Sequence, residues 1–189
     1  GSLQSATTAK DMILEEYQDA QITVIDSTVN TVLQGLYVLE ACRLRDMGLE
    51  YQQIVDALLP IRETGRIFFT IGSIDYLKHG GRIGKLAGIA ASALKIKPVM
   101  GATKEGTICQ LDQARGINKA LVKMVDYVVE KTKDSGNKIL AISHCNCPKR
   151  AEILKEAILE RMELRDILVL NTAGVSSMYA NDGGVIVVV

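Results

Sequence analysis

Tryptophan is absent from the 189 residues, phenylalanine and histidine occur twice each, and proline three times. With only His79 and His144 available, a Ser-His-Asp triad would form only by accident of the fold. No Walker A loop, nucleophile elbow, His-Glu-x-x-His helix or clustered acidic metal site is present. Chemistry centred on a nucleophile of this chain is therefore not expected. An excess of charge is also missing, because 22 basic side chains balance 22 acidic ones, and nucleic-acid binding driven by net charge is not expected. Long apolar runs are absent as well. The C-terminal "GVIVVV" falls far short of the roughly 20 residues that span a bilayer, so stable membrane insertion is not expected. The four cysteines follow no disulfide-framework spacing and no charged leader precedes an apolar stretch, which points to a reducing, cytoplasmic setting.

What is present is an average globular composition, 48% apolar and 23% charged, in a chain long enough to bury a core. "ATTAKDMILEEY" follows Ser5 with Ala9, Met12 and Ile13 at helical spacing, and "ITVIDS" (22–27) reads as a buried strand. Helices are expected over 31–47, with Leu36, Leu39, Ala41 and Leu44 inward and Gly48 as the stop, and over 50–59 ahead of Pro60.

"RIFFTI" (66–71) reads as a strand, followed by a short helix "IDYLKH" capped by Ser73 and a helix of small residues over 86–95. "IKPVMGATKEGTICQLDQ" alternates as a hairpin, and "INKALVKMVDYVVEK" carries Leu121, Val125, Val128 and Val129 on one helical face. "KILAIS", "PKRAEILKEAILERM" and "DILVLN" form a strand–helix–strand unit, and residues 174–185 read as a polar loop. The organisation is α/β: residues 1–65 supply one strand and part of an N-terminal domain, and 66–189 form a two-layer α/β C-terminal domain.

Four features carry candidate chemistry. "YLKHGGRIG" (76–84) combines Gly80 and Gly81, which allow positive φ, with Arg82, whose guanidinium matches a carboxylate or phosphate. Arg115 in "QARG" is a second basic group beside a glycine, and Tyr179 in the late polar loop can donate a hydrogen bond to an anion. "SHCNCPKR" places His144, Cys145 and Cys147 ahead of a helix start. Cys-x-Cys is not the usual zinc spacing, so a plain strand-to-helix loop is favoured over a metal or redox site.

The order of these features resembles the DegV family of bacterial lipid-binding proteins: "LQSATTA", "VIDS", "GLYVLEA", "YLKHGGRIG", "IKPVM" and "ARG". The resemblance covers essentially the whole chain and implies a two-domain α/β protein whose ligand is one long-chain fatty acid, with no other cofactor. It further implies presentation of the acyl carboxylate to a separate ATP-binding fatty acid kinase subunit and carriage of the acyl-phosphate.

Gly80, Gly81, Arg82 and Tyr179 fall at the head-group end by this resemblance, and Arg82 and Arg115 match positions linked to kinase docking. Tyr179 stands where many members carry a histidine. The family's hydroxyl-rich carboxylate motifs, in roughly its first third, have no counterpart here, which leads to an expectation of self-association through the N-terminal part. The alternative reading is a protein-interaction module, or a truncated remnant, without lipid binding.

Overall fold

The computed structural model describes residues 1–73, 81 and 96–189, which divide into two compact units. The first comprises residues 1–30 and 34–64, and the second comprises 31–33 and 65–189. The expected helices over "IDYLKH" and 86–95, and with them Gly80 and Arg82, lie outside the described residues.

The first unit is helical. Helix α1 (Ser2–Glu16) begins three residues before Ser5 and buries no residue, so Ala9, Met12 and Ile13 form no core stripe here. Helix α2 (Thr31–Asp46) ends at Gly48, which takes φ +83° and closes a Schellman stop: its N–H donates to Arg45 O and that of Leu49 to Leu44 O. Helix α3 (Tyr51–Leu58) opens with a capping box between Glu50 and Gln53, and α4 (Ile61–Thr64) follows Pro60.

Tyr37, Leu44 and Leu58 form the small core, packed by Ile25, Val29, Ala41, Leu49, Ile54 and Ile61. Tyr37, rather than the expected Leu39, is the inward residue. Positions 37, 41 and 44 share one helical stripe, and 39 lies about 200° from 37, leaving Leu39 54% exposed.

The strand expected over 22–27 does not form. Those residues join no ladder, because the first unit offers no second strand among the described residues to complete the hydrogen bonds.

The second unit holds a mixed six-stranded sheet. Its strands are β1 (Ile67–Thr70), β2 (Ile96–Ala102), β3 (Ile108–Arg115), β4 (Ile139–His144), β5 (Asp166–Asn171) and β6 (Val185–Val188), in the order β3-β2-β1-β6-β4-β5. β2 and β3 are the expected hairpin, closed by Thr103–Gly106, with a register shift between Val99 and Met100. β4 and β5 pair in parallel across helix α6 (Pro148–Leu159), as the βαβ reading requires, while β6 inserts antiparallel between β1 and β4.

Helix α5 (Ile117–Lys131) and α6 cover one sheet face. Leu121, Met124, Val125 and Val128 meet Leu154 and Ile158 over Phe68, Val99, Leu140, Ile142, Val185 and Val187. Phe69, Met100, Ala141, Ile186 and Val188 alternate to the opposite face and are also buried.

The polar stretch read as a loop over 174–185 contains helix α7 (Gly174–Ala180). Glycine and two serines hide it from propensity reasoning. Contacts at both of its ends hold it, as the next section describes.

Candidate functional site

Register places the candidate residues at one end of the sheet. Val185 pairs with both Thr70 and His144, His144 pairs with Asn171, and Arg115 pairs with Ile96. The C-terminal ends of β1, β3, β4 and β5 therefore meet the N-terminal ends of β2 and β6 along one rim. Lys97, at the start of β2, donates from Nζ to Gly72 O at 2.7 Å and pins the exit of β1. The chain that carries Gly80, Gly81 and Arg82 leaves this rim after β1 and rejoins it at Ile96. Of the three, Gly81 is described; it is exposed and takes the positive φ expected of it, +68°.

α7 is held across the rim at both ends. Thr172 N–H donates to His144 O at 2.8 Å, and the Thr172 hydroxyl shares a 2.8 Å hydrogen bond with that of Ser177. At the other end Ala180 O accepts from Gly72 N–H at 3.2 Å. Tyr179, half-buried, thus stands next to the residue whose carbonyl touches the exit of β1.

Arg115 ends β3 two strands away, about 10 Å across the sheet. Its side chain is exposed and makes no hydrogen bond or ion pair among the described residues, and Gly116 turns the chain into α5 with φ +85°. The structure therefore brings Tyr179 and Arg115 to the same rim without bringing them into contact.

The loop 181–184 packs tightly on "SHCNCPKR". Gly183 N–H donates to Cys145 O and Cys145 N–H to Gly184 O, both at 2.9 Å, and the Arg150 guanidinium donates to Gly183 O. Cys147 Sγ donates to Gly184 O at 3.5 Å, and burial pushes its thiol pKa up, which opposes the thiolate that redox chemistry needs. Among the described residues, no three His, Cys, Asp or Glu side chains gather closely enough to hold a metal ion. "SHCNCPKR" connects the end of β4 to the start of α6.

Three polar atoms at the rim stand out by burial; sequence reasoning missed Thr70 and Ser143, and raised His144 only for a metal or redox role. Thr70 Oγ1, Ser143 Oγ and His144 Nδ1 are buried with no hydrogen-bond partner among the described residues. Thr70 and His144 flank Val185 on the face covered by α5 and α6, and Ser143 alternates to the other face. A buried polar atom left unfilled costs about 1–3 kcal/mol, so each is a place where a water or a polar ligand atom gains a bond. The available signal was a hydroxyl closing an otherwise apolar strand, in "IFFT" and "ILAIS".

A family model for DegV, described as an uncharacterised protein family, matches residues 1–189. A DegV domain-containing protein of Streptococcus pneumoniae is 33% identical over 186 residues, covering 98% of this chain and 66% of its own length. The chain thus spans just under two thirds of that curated relative.

Among solved structures, a DegV family protein from Ruminococcus gnavus, refined with vaccenic acid, superposes with TM-score 0.94 at 40% identity, covering all of this chain and 67% of its own. The Fatty Acid Kinase (Fak) B3 protein of Streptococcus pneumoniae, loaded with linoleic acid, superposes with TM-score 0.91 at 32% identity, covering all of this chain and 66% of its own.

Proposed function

The chain belongs to the DegV family, and from that premise we propose that it serves in binding one long-chain fatty acid and presenting it to an ATP-dependent kinase subunit in the cytoplasm. The observation that carries this reading is similarity along the whole of this chain, which covers about two thirds of each neighbour, to two proteins of the same fold solved with vaccenic and linoleic acid, one of them named as the Fatty Acid Kinase (Fak) B3 protein. The carboxylate is the nucleophile in such a transfer and ATP the phosphoryl donor, so this chain supplies position and shelter. Its product, an acyl-phosphate, is labile in water, and an apolar enclosure protects it.

Burial of methylenes, at about 0.8 kcal/mol each, provides the affinity, and polar groups need only orient the head group. In this reading Arg82 and Tyr179 face the head group, beside Gly80 and Gly81, while Arg82 and the exposed Arg115 meet the kinase. Tyr179 takes the position of a family histidine and acts as a hydrogen-bond donor.

Native mass spectrometry of the purified protein, followed by denaturing extraction, tests the ligand. One fatty acid per chain is expected, and a protein that stays empty after incubation with free fatty acids would overturn the reading. Arg115→Glu then separates docking from binding. Acyl-phosphate formation by added kinase should fall at least tenfold with lipid occupancy unchanged, whereas equal loss of both would remove Arg115 from the docking role.

A further inference from the structure

The two edges of the six-stranded sheet are protected very differently. β3, at one edge, carries Asp112, Arg115 and three neutral polar or cysteine side chains, and its pairing to β2 is broken by a bulge. β5, at the other edge, reads Asp-Ile-Leu-Val-Leu-Asn, pairs with β4 over six unbroken residues, and has no proline, glycine, lysine or bulge. Val169 and Leu170 are 37% and 46% exposed, and Val175 and Met178 on the following helix are 68% and 51% exposed. Among the described residues no strand pairs with the outer side of β5. Lysine, proline and bulges are usual devices against edge pairing, and β5 has none of them; its one charge, Asp166, stands at its first residue.

We propose that β5 is a self-complementary docking edge that pairs antiparallel with β5 of a second copy of this chain, joining two sheets into one of twelve strands. The argument for a second copy lies in the register. Thr172 N–H points inward to His144 O, so by strand alternation the residues whose backbone groups point outward are Ile167, Val169 and Asn171, the N–H of Ile167 donating to Asp166 Oδ1 at 2.7 Å in the single chain. Antiparallel pairing exchanges hydrogen bonds between outward residues, which restricts the two-fold axis to a few positions.

With the axis through Val169, Val169 meets Val169 of the partner subunit. Leu168 then meets Leu170 of the partner subunit, and Asp166 meets Thr172 of the partner subunit. Apolar side chains face apolar ones at the centre, Ile167 lies opposite Asn171 of the partner subunit, and no like charges stand opposite. Shifting the axis to Leu168 would place Asp166 opposite a leucine. A six-residue strand buries well under the roughly 1,600 Å² of a standard interface, so the pairing is weak and concentration-dependent.

Sedimentation velocity from micromolar to near-millimolar protein tests the proposal, using the whole chain as it exists. A monomer–dimer equilibrium is expected for the wild type. Val169→Lys and Val169→Glu each place like charges directly opposite across the axis and should weaken dimerisation at least tenfold, while an equimolar mixture of the two should restore it as a heterodimer. Thermal melts near that of the wild type establish that both variants fold, since position 169 is an exposed edge. A wild type that stays monomeric at the highest concentration would overturn the proposal. So would a dimer indifferent to both substitutions, or variants that fail to recover on mixing.

Discussion

At the scale of single residues, two glycines at the rim are fixed by space and a tyrosine in the first unit by its unmet hydroxyl. A Cβ at Gly184 would fall inside the contact distance of Ala180 O, and one at Gly72 inside that of Asp182 O; both obstacles are backbone. Gly184→Ala and Gly72→Ala should therefore each cost about 1–3 kcal/mol by overpacking, read as a lower urea midpoint at unchanged slope. Gly136→Ala, with open space around it and no positive φ, is the neutral control.

Tyr37 behaves in the opposite sense. Its Oη is buried without a hydrogen-bond partner among the described residues, so Tyr37→Phe should be neutral or stabilising by up to about 1 kcal/mol. Burial also raises the Tyr37 pKa above its ordinary value near 10. The unfolded chain then ionises first, and the wild type should lose stability relative to Tyr37→Phe as pH climbs through that range, with a flat difference below it. Urea unfolding of both proteins at stepped alkaline pH measures the crossing.

At the scale of elements, protection from hydrogen exchange should divide the helices. α1 buries nothing, lacks a side-chain cap, has no acidic residue in its first turn, and ends in Glu15 and Glu16 with no basic residue in its last turn, where a helix dipole favours cations. α5 buries Ala120, Leu121, Met124, Val125 and Val128. Amides of α1 and of 22–27 should exchange orders of magnitude faster than those of α5 and β4 in mass-spectrometric labelling. Slow exchange at 22–27 would mean that these residues find a ladder partner.

The same contrast explains what the sequence revealed. The hairpin β2–β3, the βαβ unit and α5 were readable because alternation, turn residues and an apolar stripe agreed with the packing that resulted. Strand propensity at 22–27 misled because a strand is completed by its neighbour, and α7 was hidden because the contacts that hold it come from Gly72 and from the Thr172 hydroxyl rather than from its own residues. Arg115 and Tyr179 were found as residue types. Their shared rim became visible only with the register, Thr70 and Ser143 became notable only through burial, and His144, first raised as a metal or redox candidate, gained its buried, unpartnered Nδ1 the same way.

For the whole molecule, the order β3-β2-β1-β6-β4-β5 has a bearing on time as well as on shape. The hairpin side, β3-β2-β1, and the βαβ side, β4-β5, share no strand-to-strand hydrogen bonds of their own, and β6 is the seam between them. β6 follows every other strand in the chain, so on a ribosome the two halves wait, each with one side of its future centre exposed, until residues 185–188 emerge. The ladder from Ile67 to Val188 spans almost the entire second unit and makes its assembly slow for its size. Any chaperone that attends this protein therefore meets it as two half-sheets, held open for the length of time that one short valine-rich strand takes to arrive.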